Sequence, residues 1–106
     1  MALFHITTHA AWTAACAAGE YRPPSLEREG FIHLSTEEQV VATARRCYRG
    51  RSGLVVLRCD VDDVRWEDTP DGRFPHLYRA LLRPEVGAVL ELVIGDDGNF
   101  VALSSR

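Results

Sequence analysis

The chain predicts an α+β domain, with two helices packed on a curved, mainly antiparallel sheet. Two observations carry this. Helical apolar spacing is confined to the first half of the 106 residues. Beyond residue 53, alternating or β-branched runs bounded by turn residues take over. With no internal repeat and no linker-like stretch, the whole chain, 1–106, reads as a single domain.

Residues 2–7 read as a first strand, with Phe4 and Ile6 on one face and His5 and Thr7 on the other. Thr7 or Thr8 can cap a helix running to about residue 18. There Trp12, Ala15, Cys16 and Gly19 recur at helical spacing, and Gly19 suits the position just past the end. Pro23-Pro24 breaks regular structure, so residues 20–28 are expected to form a surface loop displaying Tyr21 and Arg22. Residues 30–35 alternate as a strand. Ser35 to Gln39 then carry the hydroxyl and the Glu38 or Gln39 needed for a capping box. A helix from about 36 to 48 follows, with Val40, Val41, Ala44, Cys47 and Tyr48 as its apolar stripe.

The second half is predicted as strands. Leu54-Val55-Val56-Leu57 is continuous enough to be covered on both faces. Val64 to Glu67 is a short strand, and the turn Thr69-Pro70-Asp71-Gly72 links it to Phe74-Pro75-His76-Leu77-Tyr78. Pro75, lacking an N–H, argues for an edge, a bulge or a strand start there. Residues 88–94 and 99–103 form a hairpin across Gly95-Asp96-Asp97-Gly98.

Composition excludes several function classes. The net charge of −3 argues against nucleic-acid binding as the main task. All twelve basic residues are arginine, so no lysine nucleophile exists, and guanidinium forks are favoured for phosphate or carboxylate. The three cysteines lack CxxC spacing, and Cys16 and Cys47 are expected to be small buried thiols. Asp60, Asp62 and Asp63 lack the spacing of a cation loop and read as a solvated turn. No basic leader with an apolar core and no run of membrane-spanning length is present, so a reduced cytoplasmic protein with no membrane contact is expected.

Three of the four histidines share one pattern, an imidazole followed two positions later by a hydroxyl: His5/Thr7, His33/Ser35 and His76/Tyr78. In strands each pair shares a face, and if the strands are neighbours the pairs line one polar cleft. Imidazole near neutral pH suits acid–base work or contacts to ribose and phosphate. No HExxH is present, and no metal is expected. Glu67, ahead of the turn into His76, is the carboxylate most easily brought to such a cleft. Ser35 lacks a nucleophile-elbow context, so helix capping explains its hydroxyl more simply. Tyr21 and Tyr78 are candidates to stack on a ring.

The motifs Leu3-Phe4-His5-Ile6-Thr7, Gly19-Glu20-Tyr21, Glu29-Gly30-Phe31-Ile32-His33-Leu34-Ser35, Glu38-Gln39-Val40, Trp66-Glu67 and Phe74-Pro75-His76-Leu77-Tyr78 resemble the bacterial domain-of-unknown-function family 952. That family is similar, at a distance, to the ADP-ribosyltransferase fold, and the resemblance implies a set of roles. His5 and Thr7 match the first-strand pair that contacts the adenine-side ribose of NAD. Phe31 and His33 occupy the strand that usually supplies a stacking tyrosine, with Tyr21 ahead of it. Glu67 or His76 would take the place of the later-strand glutamate that orients the nicotinamide ribose. Arg79 stands where the family motif leads one to expect glycine.

The expected function is therefore a His-lined cleft binding NAD or a related nucleotide, possessed by a small ADP-ribosyltransferase-like or phosphotransferase-like enzyme. In it Glu67 or His76 would help break a glycosidic or phosphoryl bond. His5, Thr7, Tyr21, Arg22, His33, Ser35 and Tyr78 would contact the ligand, with Arg22, Arg73 or Arg79 meeting phosphate. The alternative is a non-catalytic module for a small anionic metabolite. The acceptor and the oligomeric state stay open.

Overall fold

The computed structural model describes residues 1–105. Strand β1 (Ala2–Thr8) runs into helix α1 (His9–Ala18), followed by β2 (Glu20–Tyr21), α2 (Pro24–Arg28), β3 (Ile32–His33) and α3 (Glu37–Cys47). Strands β4 (Leu54–Asp60), β5 (Arg65–Thr69), β6 (Gly72–Leu77) and β7 (Leu81–Leu82) come next. A 3₁₀ turn at Arg83–Glu85 precedes β8 (Val86–Ile94) and β9 (Phe100–Ser105).

The fold class is α+β, and every strand pairing among the described residues is antiparallel. The strands form a four-stranded sheet in the order β1-β4-β8-β9, a three-stranded sheet β3-β6-β5 and the pair β2-β7. One bridge joins the two larger sheets: Phe4 and Ser35 exchange N–H···O bonds of 2.7 Å each.

Local chemistry fixes the first helices. The Thr8 hydroxyl accepts from the Ala11 amide at 3.0 Å. Gly19 closes α1 in the left-handed region at φ 84°, its N–H reaching the Ala15 carbonyl. In α3 the Gln39 side chain accepts from the Thr36 amide at 3.0 Å, the reciprocal arm of a capping box. Val40 and Ala44 then pack with Phe4, Ile6, Val56 and Phe100 on one face of the four-stranded sheet. On its other face Leu3, Val55, Leu57 and Cys59 meet Ile32 and Leu77 of the three-stranded sheet, with Leu34 just beyond β3. Strand β4 is thus covered on both sides, as its unbroken apolar run requires.

Four expectations are corrected. Residues 20–28 are not a surface loop. Tyr21 pairs with Leu81 and is buried, and Pro24 opens a short third helix, where its missing N–H would have had no intrahelical partner anyway. Strand 30–35 shrinks to Ile32–His33, because Ser35 leaves its line to bridge Phe4. Pro75 lies mid-sheet rather than at an edge, since β6 has neighbours on both sides. Its carbonyl accepts from Leu34 at 3.1 Å, so its nitrogen faces the point where β3 has already ended, and the absent N–H breaks no ladder. Cys47 is exposed and Cys16 half-buried; the buried thiol is Cys59.

Candidate functional site

His5 sits on β1 facing away from α3, buried, with both ring nitrogens occupied. Nδ1 lies 2.6 Å from the His33 carbonyl, which can only accept, so Nδ1 carries the hydrogen. Burial pushes the ring down to about 4, partly offset by that backbone bond. The imidazole is therefore neutral near pH 7, and Nε2 is an acceptor. The Tyr21 hydroxyl stands 2.8 Å from Nε2 and 2.9 Å from the Thr7 hydroxyl. Its single hydrogen goes to Nε2, and the Thr7 hydroxyl turns to donate to the phenol. A directed chain results: Thr7 to Tyr21 to His5 to the His33 carbonyl. Burial drives the Tyr21 phenol up to about 12, so this tyrosine positions its neighbours rather than titrating.

These side chains border a cleft of about 1010 Å³ between β1, α1 and the segment carrying α2. Alanines of α1 with Pro23 and Pro24 give it an apolar wall, while Arg22, Arg28 and Arg51 bring positive charge to its rim. Arg22 is engaged by Glu20. Arg51 rests over the Tyr48 ring at 5.1 Å, and neither it nor Arg28 has a carboxylate partner among the described residues. A volume of this order suits a ligand of nucleotide size.

A second cluster covers the outer face of the three-stranded sheet, where Arg65, His76 and His33 lie in one cross-strand row. His76 places Nδ1 2.8 Å from Glu67 Oε1, and the Tyr78 hydroxyl donates to the same oxygen. Those bonds, Tyr78 first, hold the Glu67 carboxyl below the usual range, and Glu67 in turn raises the Tyr78 phenol. Phe31 stacks on His76 with centroids 4.0 Å apart, and Arg65 lies 4.4 Å over Tyr78. His33 links the clusters. Its ring meets His76 edge-on at 5.3 Å, its Nε2 reaches Glu29 at 2.6 Å, and its carbonyl holds His5.

The three imidazoles therefore do not converge on one hollow. His5, Thr7, Tyr21, Arg22 and His33 border the large cleft, whereas Ser35 and His76 border a smaller cavity that His33 also touches. Glu67 and Tyr78 line neither. The reason is the sheet break after His33: β1 belongs to one sheet and β6 to another, so only the middle pattern faces both. Tyr21 is buried, with its hydroxyl on His5 and Thr7, so only a small part of its ring faces the cleft. Arg79 is not available for phosphate either. Bonds of 2.7–2.9 Å tie it to Asp63 and Glu85. Arg73 pairs with Asp68 and borders neither space. Sequence reading missed Arg28, Tyr48 and Arg51 as cleft residues, since no local spacing signals which segments the fold brings opposite them.

Among the described residues no group of three His, Cys, Asp or Glu side chains is placed to hold a metal ion, and no helix is long and apolar enough to cross a membrane.

Residues 6–89 match the family described as protein of unknown function, DUF952. The chain belongs to DUF952. It is also similar to the crystal structure of protein CC0527 from Caulobacter crescentus, at 37% identity and a TM-score of 0.84, over 95% of this chain and 94% of that one. A solution structure of CC0527 gives 38% identity and a TM-score of 0.80, over 92% and 90% of the two chains. Nothing among curated proteins matches. The matched residues run from Ile6 within β1 to Val89 within β8, and so include Thr7, Tyr21, His33, Glu67, His76 and Tyr78.

Proposed function

We propose that the large cleft of this DUF952 chain binds NAD or a related nucleotide, in the manner of the ADP-ribosyltransferase fold its motifs resemble. The observation that carries the reading is the ordered Thr7–Tyr21–His5 chain beside a nucleotide-sized cleft with arginines at its rim. The apolar wall suits a base or nicotinamide ring. Arg28 and Arg51, without carboxylate partners, suit the phosphates. Thr7, His5 and the His33 segment fix where a ribose edge can lie.

Calorimetric titration with NAD and ADP-ribose tests it. Saturable heat is expected, and Arg28→Gln with Arg51→Gln should weaken binding by about tenfold or more, the loss of two charge-assisted contacts. No heat at millimolar nucleotide would remove the reading.

One observation favours a binding module over a transferase: Glu67, bonded to His76 and Tyr78, stands outside the cleft. A binding module keeps its nucleotide affinity in Glu67→Gln and releases no nicotinamide in any form. A transferase would release nicotinamide and lose that release in Glu67→Gln.

A further inference from the structure

The smaller cavity, of about 240 Å³, lies between α3 and the outer face of the three-stranded sheet. His76 borders it and is 5% exposed, and its Nε2 is the buried side-chain nitrogen or oxygen left without a hydrogen-bond partner among the described residues. A buried polar atom without a hydrogen bond is costly to leave unpaired and calls for a partner. Glu67 on β5 holds Nδ1, so Nε2 lies on the opposite edge of the ring, away from β5.

The rest of the lining tells what that partner is. The hydroxyls of Ser35 and Thr43 border it, 3.4 Å apart and only weakly bonded to one another. Arg46 borders it too, with its Nε 3.2 Å from an Asp71 carboxylate oxygen. Phe74 lies under the guanidinium at 5.8 Å and limits where it can swing. The bordering groups are thus mainly donors, and the one carboxylate is already bound to Arg46.

We propose that this cavity is an oxyanion site, taking inorganic phosphate or the phosphoryl end of a small monoester. The imidazole of His76 binds it as the cation, donating from Nε2 while Nδ1–H remains on Glu67. Arg46 supplies the second charge, and Ser35 and Thr43 each donate one hydroxyl. Glu67 is a positioning residue here, fixing the ring as a carboxylate fixes a ligand histidine. The site is separate from the nucleotide cleft, and neither reading rests on the other.

The test is a titration of protein ¹⁵N-labelled at histidine and backbone with inorganic phosphate, and separately with glycerol 3-phosphate, chloride holding ionic strength constant. The His76 Nε2 resonance should move saturably along with the Ser35 and Thr43 amides. Movement with phosphate marks a free-anion site, and movement with glycerol 3-phosphate alone marks a monoester site. Arg46→Gln, a change at a partly exposed position, should raise the Kd about tenfold. Thr43→Val should raise it several-fold, and the Arg28→Gln, Arg51→Gln pair should leave it unchanged. No saturable movement of His76 with either anion overturns the proposal. So does binding that survives Arg46→Gln but vanishes in the Arg28, Arg51 pair, since the anion is then in the large cleft.

Discussion

Nδ1 of His5 gives its hydrogen to the His33 carbonyl and Nε2 accepts from Tyr21, so folding takes up this imidazole neutral. Its ordinary value of 6.5 falls to about 4 in the fold, chiefly through burial. Between those values the unfolded chain binds the proton and the folded one does not. Stability from this group is whole above pH 6.5 and is lost as pH falls toward 4, by about 3 kcal/mol over the window. Urea denaturation at pH 7, 5.5 and 4 should show the fall, and His5→Gln should show less of it. Tyr21→Phe removes one oxygen and leaves Nε2 and the Thr7 hydroxyl buried and unpaired. A loss of about 1–3 kcal/mol is expected, read as a lower urea midpoint with an unchanged slope. The sequence placed His5 and Thr7 on one strand face correctly. It did not show that Tyr21 would be their buried partner, because a tyrosine ahead of two prolines looks displayed until β7 pairs with it.

At the scale of elements, helix limits were legible because caps are local. Thr8 and Gly19 bound α1, and Thr36 with Gln39 opens α3, each within a few residues of its partner. Gly19→Ala tests the first of these. A Cβ there meets no neighbouring atom within 4 Å, so the cost is conformational alone, about 1–2 kcal/mol, and thermal unfolding should move down accordingly. Strand limits were less legible. The alternation of residues 30–35 is that of a longer strand, yet only Ile32 and His33 pair with β6, since Ser35 is held by Phe4 across the gap between sheets. Pro75 misled for the same reason: its tolerance in mid-sheet depends on how short its neighbour is.

For the whole molecule, burial is set by which face each element turns inward, and the thiols report it. Burial first, then Glu85, pushes the Cys59 thiol up to about 12, leaving it inert, while Cys47 is exposed. Thiol labelling of the native protein should therefore reach Cys47 first, Cys16 more slowly and Cys59 only after denaturation; early labelling of Cys59 would contradict the packing. The sequence had offered Cys47 as a core position, because helical spacing marks a stripe without saying how wide the covering sheet is. The radius of gyration, 13.1 Å, is that expected of a compact chain of this length.

Sequence alone determined the α+β class, the strand faces, the helix caps and the His-x-hydroxyl pattern, since all of these depend on neighbours a few residues away. It also carried the motifs by which the chain was assigned to DUF952. Tertiary structure alone decided that the patterns divide between two cavities joined by His33, that Tyr21 is buried, that Arg79 is tied to Asp63 and Glu85, and that Arg28 and Arg51 face the cleft. Those outcomes depend on which segments meet across the gap between two sheets, and no local spacing in the chain encodes that meeting.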